Sequence, residues 1–259
     1  MDEGFPPRGA ERFSLVGRVA VVTGAGSGLG QAVAIGFAQV GARIVVADLP
    51  GADFGPVQAA SPDPVMAIDV DVSDRDAVDR MAATVLAELG RADVLVNSAG
   101  IGGRSPAETY PADLLAKILA VNLVGTLSCC QAFGRIMLAA GRGSIINFAS
   151  VGGLVGYPGS VGYQASKGAI VQVTRSLAIE WATRGVRVNA IAPCQFETPV
   201  VRRQWEREPE MKQYWLSRTP IGRLGHPEEI IGPAIFLASD ASAMVTGHTL
   251  PVDGGFVAQ

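Results

Sequence analysis

Cysteine is scarce in this sequence. Three residues, two of them adjacent at Cys129 and Cys130, are too few and too badly spaced for a disulfide framework or a metal knuckle. They read as small buried apolar side chains, and the chain as a resident of reducing cytosol. The two histidines, His226 and His248, stand apart, so no metal is assigned to them. A formal charge of −3 with no basic stripe argues against a nucleic-acid partner. Long hydrophobic runs are missing too: stretches such as "IIGPAIFLA" stop well short of the roughly eighteen residues that span a bilayer, so no membrane partner is expected. The opening "MDEGFPPRGAERFS" has no apolar core, which makes it a loose arm over residues 1–13 rather than a signal or transit peptide.

What is present is a globular composition, with 48% hydrophobic and 17% charged residues in 259. Short runs rich in Val and Ile fall at 18–23, 42–48, 64–69, 93–97, 143–149, 186–192 and 248–253 and read as strands. Most are almost unbroken in their hydrophobicity, as strands covered on both faces must be. Between them, segments 28–40, 74–89, 111–140, 162–183 and 227–238 carry apolar residues at helical spacing. Repeated strand–helix–strand units predict an α/β fold: one doubly wound domain over 14–259, with about seven mostly parallel strands and helices on both faces.

The first crossover carries "TGAGSGLG" at 23–30, directly after a strand and opening a helix. That context makes it a Rossmann-type dinucleotide fingerprint: Gly24 permits the turn, Gly28 and Gly30 permit close approach, and the helix N-terminus favours a pyrophosphate. Asp48 ends the second strand, where a carboxylate can accept from a ribose 2′-OH. It would repel a 2′-phosphate, and no arginine lies at 24–29 or 49–51, so NAD is expected rather than NADP.

The chain has only three lysines and four tyrosines, yet "YQASK" places Tyr163 and Lys167 four residues apart at a helix start. That spacing puts phenol and ammonium on one face. With these motifs in hand, the chain resembles the short-chain dehydrogenase/reductase family from Arg18 to Phe256. The family's TGxxxGxG is matched by Thr23, Gly24, Gly28 and Gly30, its DV dipeptide by Asp71 and Val72 (Asp69 and Val70 repeat the pattern), and its NNAG by Asn97 to Gly100 with Ser98 substituted. The resemblance implies cofactor contacts from Gly24, Ser27, Gly28, Leu29, Asp48, Leu49, Asp71, Val72, Asn97, Ala99, Gly100, Tyr163, Lys167, Pro193, Phe196 and Thr198.

It also implies a catalytic set of Asn122, Ser150, Tyr163 and Lys167. Tyr163 is then the general acid/base, although a free phenol titrates near pH 10. Lys167, together with an oxidised nicotinamide, would favour the phenolate, and Ser150 would polarise the substrate oxygen. Asn122 would distort its helix and free a carbonyl for a proton relay, or else simply satisfy buried backbone. In "PCQFETP", Cys194 replaces a usual glycine and Phe196 a smaller aliphatic. Cys194 reads as a small turn residue.

Segment 199–226 reads as two short helices, either a lid over the substrate or a solvated face above Trp205, Tyr214 and Trp215. Arg104 is a candidate grip for a carboxylate. The resemblance implies an NAD-dependent alcohol–ketone oxidoreductase, similar in its C-terminal stretch to sugar-acid and polyol dehydrogenases. It implies a homotetramer paired through helices 111–138 and 162–182 and through the last strand. A 3-oxoacyl carrier-protein reductase and an inactive dinucleotide-binding protein are the rival readings.

Overall fold

The computed structural model describes residues 9–259, apart from the side chains of Val200, Gln204 and Pro209. Seven strands form one sheet: β1 (Val19–Thr23), β2 (Arg43–Asp48), β3 (Met66–Asp69), β4 (Val94–Asn97), β5 (Gly143–Phe148), β6 (Val186–Pro193) and β7 (Thr249–Val252). Their order is β3-β2-β1-β4-β5-β6-β7, and every pairing is parallel. Successive residues of β1 show why the runs are so apolar. Ala20 and Val22 enter one core layer while Val19 and Val21 enter the other. Each face needs its own hydrophobic cover.

Helices α1 (Gly28–Gln39) and α9 (Ile231–Ala238) cover the first face with Val33, Phe37, Ala234 and Leu237. Helices α3 (Arg75–Leu89), α5 (Thr126–Ala140) and α6 (Val161–Trp181) cover the second with Met81, Val85, Phe133, Met137 and Trp181. Cys129 and Cys130 lie fully inside that layer, where burial pushes both thiols up. Asp74 caps α3 by accepting from the Ala77 amide at 3.1 Å, and Gly90 ends the helix in the left-handed conformation.

Three features depart from the sequence reading. A six-residue helix, α2 (Gly55–Ala60), fills the β2–β3 connection and is too short to show a period. Residues 1–8 of the expected arm lie outside the described residues. Gly9–Phe13, however, form a 3₁₀ turn, with the Arg12 guanidinium donating to the Asp240 carbonyl at 3.1 Å. Third, the helical run 112–140 is, by length and hydropathy alone, long and apolar enough to cross a membrane. It consists of α4 (Ala112–Leu119), a π-helical segment (Ala120–Gly125) and α5, whose apolar face packs on the sheet.

Candidate active site

The sheet's strand order reverses between β1 and β4, and the carboxyl ends of the strands open there into a cavity of about 1030 Å³. In open α/β sheets this is where ligands bind. The glycine turn forms one wall. Gly24 has φ +68°, and a Cβ there would lie 2.6 Å from the Ala99 amide nitrogen; one on Gly30 would lie 2.2 Å from the Gly24 carbonyl oxygen. Backbone therefore packs on backbone, which leaves the start of α1 open to the cavity. Ser27, Gly28 and Leu29 line it.

Asp48 also lines the cavity. Its Oδ2 accepts from the Gly26 amide and its Oδ1 from the Leu49 amide, both at 2.8 Å, so the carboxylate is held in place at the end of β2. Leu49, Asp71 and Val72 complete this end, and none of the lining residues from the ends of β1, β2 and β3 is basic. Of the repeated Asp-Val pairs, Asp71 and Val72 both reach the wall, whereas Asp69 does not. Ala99, Gly100, Pro193 and Thr198 line the middle.

Ser150, Tyr163 and Lys167 converge on the far end. Ser150 caps a 3₁₀ turn just beyond β5, its Oγ accepting from the Gly152 amide at 3.1 Å. Tyr163 and Lys167 lie on the first turns of α6, with Lys167 Nζ 5.7 Å from the Tyr163 ring centroid. Nζ also donates to the Phe148 carbonyl at 2.6 Å. Within the protein alone, spacing does not make the phenol acidic. Burial pushes Tyr163 above its ordinary value, while hydrogen bonding with Ser150 pulls it down. Burial also lowers the Lys167 ammonium to about 8.

Two expected cofactor contacts, Asn97 and Phe196, and the expected relay residue Asn122 are not on the cavity wall. Asn97 is buried in the sheet and donates to Asn147 Oδ1 at 2.9 Å. Phe196 turns into the core, where its ring faces Gly225 so closely that a Cβ there would lie 2.6 Å away. An aromatic ring gains more from that apolar space than a small aliphatic would. Asn122 is fully buried in the π-helical segment. Its Oδ1 accepts from the Ile101 amide at 2.8 Å, while its Nδ2 donates to the Ile101 carbonyl at 2.9 Å and to Ser166 Oγ at 3.0 Å. The side chain thus satisfies backbone, and the helix is distorted where the sequence reading places a distortion.

In segment 199–226 the aromatic packing of the second reading is present for the two tryptophans. Helices α7 (Pro199–Arg207) and α8 (Pro209–Ser217) bury Trp205 and Trp215. They also bring Arg203, Arg207 and Glu208 to the cavity mouth, where Glu208 Oε2 lies 4.0 Å from Arg104 Nε. Cys194 is half-buried, and burial is the chief cause that pushes its thiol up to about 11, which favours the protonated form. Sequence reasoning passed over Tyr157, which lines the cavity six residues before Tyr163. A phenol in the loop between Ser150 and the helix was the signal available.

The family described as "Enoyl-(Acyl carrier protein) reductase" matches residues 24–257. D-threitol dehydrogenase of Mycolicibacterium smegmatis is 43% identical over 249 residues, covering 94% of each chain. The chain belongs to the short-chain dehydrogenase/reductase family. Galactitol 2-dehydrogenase (L-tagatose-forming) of Cereibacter sphaeroides is also 43% identical, over 253 residues, covering 94% of this chain and 96% of that one. The gluconate 5-dehydrogenase of Burkholderia cenocepacia J2315, solved in complex with NADP and tartrate, aligns with a TM-score of 0.90 at 35% identity over 96% of this chain and 98% of that one. This short-chain dehydrogenase/reductase has a cavity that suits the family's nicotinamide dinucleotide: a glycine turn that a Cβ on Gly24 or Gly30 would disrupt, an anchored carboxylate, and room at the upper end of the small-molecule range.

Proposed function

We propose that the protein is an NAD-dependent oxidoreductase that interconverts a secondary alcohol and a ketone on a polyol or sugar acid. The observation that carries this reading is the convergence of Ser150, Tyr163 and Lys167 in the cavity that begins at the glycine cradle. When bound, a nicotinamide dinucleotide supplies hydride transfer. Gly24, Ser27, Gly28, Leu29, Leu49, Asp71, Val72, Ala99, Gly100, Pro193 and Thr198 would hold it, with Asp48 on the adenosine ribose.

The chain's own residues manage the proton. Tyr163 Oη takes it from the alcohol or returns it to the ketone. Ser150 Oγ donates to the same substrate oxygen and stabilises charge developing there. Lys167, as a cation beside the ring, favours the phenolate. In this reading the π-helical segment at Asn122 would free a backbone carbonyl to hold a water for a proton relay through Lys167.

The fixed carboxylate of Asp48, with no cation beside it on the wall, supports NAD over NADP. The named relatives support a polyhydroxylated substrate. A homotetramer is proposed through the helical run 112–140 and α6, where Val124, Val161 and Ile179 are exposed. Assaying galactitol, D-threitol, gluconate and a 3-hydroxyacyl thioester with NAD and with NADP tests the reading. Turnover of a polyol or aldonate with NAD is expected; turnover of the thioester alone, or NADP working at least as well, overturns it.

A further inference from the structure

In "YQASK", Tyr163 and Lys167 have tasks and Ser166 has none. Its side chain is fully buried on α6, one residue before Lys167, and makes two hydrogen bonds. Ser166 Oγ donates to the Tyr163 carbonyl at 2.7 Å and accepts from Asn122 Nδ2, on the π-helical segment, at 3.0 Å. The first bond is a common habit of serines inside helices. The second is not local: it spans 44 positions. Asn122 in turn holds Ile101, on the loop beyond β4, by both its amide and its carbonyl. Ile101 and its neighbour Gly100 are on the cavity wall, and a Cβ on Gly100 would lie 3.3 Å from Asn122 Oδ1 and 3.6 Å from Lys167 Nζ. Wall, asparagine and amine thus leave little room for a side chain between them.

Counting protons fixes the direction of these bonds. A serine hydroxyl has one proton, and the Tyr163 carbonyl, which can only accept, takes it. Toward Asn122 the hydroxyl can therefore only accept, so the amide must present its NH2 group. The Ile101 N–H can only donate and needs the amide oxygen, while the Ile101 carbonyl takes the second NH2 proton. Both protons of Asn122 are used, and a flipped amide would fail its partners. Loss of the Ser166 hydroxyl would leave one of those protons buried without an acceptor, which favours rotation of the amide away from Ile101. The carbonyl that receives the Ser166 proton belongs to the turn joining Tyr163 to Lys167, since an α-helix pairs each carbonyl with the amide four residues on.

We propose that Ser166 is a positioning residue for proton transfer: it ties the turn carrying Tyr163 and Lys167, through Asn122, to the wall of Gly100 and Ile101. The inference rests on the proposed dehydrogenase reading. Ser166 is not itself on the cavity wall, so it acts through Asn122 and the helix backbone. A phenol and an amine on one helical turn serve a reacting carbon only at a fixed depth, and a shift of about 1 Å in such groups can cost about 100-fold in rate.

Ser166→Ala removes the hydroxyl and favours the helix. The first readout needs neither cofactor nor substrate: amide hydrogen exchange of Ile101 in the protein alone, taken relative to Ile146, which is buried in the middle of β5 and reports global opening. The ratio of the Ile101 rate to the Ile146 rate is expected to rise about tenfold, the equivalent of roughly one hydrogen bond. The second is turnover at saturating NAD, where kcat on galactitol or D-threitol is expected to fall about tenfold, with KM for NAD and for the polyol unchanged. Exchange that quickens at both amides alike, or at neither, overturns the proposal, because a serine that merely stabilises the helix would loosen the whole fold. So does an unchanged kcat, or a loss carried by KM alone, which would mark a role in binding. If neither polyol is turned over, the substrate reading fails, and the exchange ratio still decides whether Ser166 holds the wall.

Discussion

Lys167 Nζ sits 5.7 Å from the centre of the Tyr163 ring and, at 2.6 Å, on the carbonyl of Phe148. The ammonium is therefore anchored to the end of β5, the strand that leads into Ser150. Lys167 and Ser150 are thereby fixed to the same strand end. Buried with few charges around it, the amine is lowered to about 8 from 10.5.

That depression has a sign. Between about pH 8 and 10.5 the unfolded chain holds a proton on Lys167 that the folded protein has shed, so this group makes stability rise with pH across the window. The whole span corresponds to at most about 3 kcal/mol. Lys167→Met, which cannot charge, should exceed the wild type in urea stability by an amount that shrinks as pH rises through the window. A constant difference would mean that the buried ammonium is not depressed. The same variant should lose about 100-fold or more in kcat, in line with loss of general acid/base support.

The proposed preference for NAD turns on one charge. Asp48→Asn keeps the size of the side chain at the end of β2 and removes its repulsion of a 2′-phosphate. The ratio of kcat/KM for NAD over NADP should fall by about tenfold, the equivalent of roughly 1.4 kcal/mol. A ratio unchanged by the substitution would take Asp48 out of the selection.

Gly30 tests the cradle separately from the chemistry. Its added Cβ would meet the Gly24 carbonyl oxygen at 2.2 Å, and that partner is backbone. Gly30→Ala should cost about 1–3 kcal/mol of stability. It should also abolish the rise in Tm that saturating NAD gives the wild type. Retention of that rise would show that the turn does not seat the dinucleotide.

At the mouth, Arg104 is 4.0 Å from Glu208 and partly exposed, so its charge is only loosely neutralised. Arg104→Glu should raise KM for gluconate by about tenfold more than for galactitol, one charge-assisted contact being at stake. Equal effects on both would remove Arg104 from substrate recognition.

Much of the fold was legible in the sequence because its signals are local. β1 and β4 are buried along their whole length and read as unbroken apolar runs. The four-residue spacing of Tyr163 and Lys167 is a property of one helix, and the glycine turn of one connection. Helix α2 was not legible, since Gly55–Ala60 covers fewer than two turns.

Side-chain direction was less legible. Phe196 and Asn97 stand at positions where the family motif suggests cofactor contact, yet one turns into the core and the other into the sheet. Tyr157 owes its place to Trp215, which lies 58 positions further along the chain.

The sequence by itself determined the order of elements, the parallel sheet and the presence of a phenol–amine pair on one helical face, because each follows from periodicity or spacing within a short segment. Only the tertiary structure decided which polar groups reach the cavity and which way their protonation is pushed. Desolvation and hydrogen bonding at Tyr163, Lys167 and Tyr157 come from β5, α8 and the loops beyond β4 and β6, and those meet only when the sheet has closed its core on both faces.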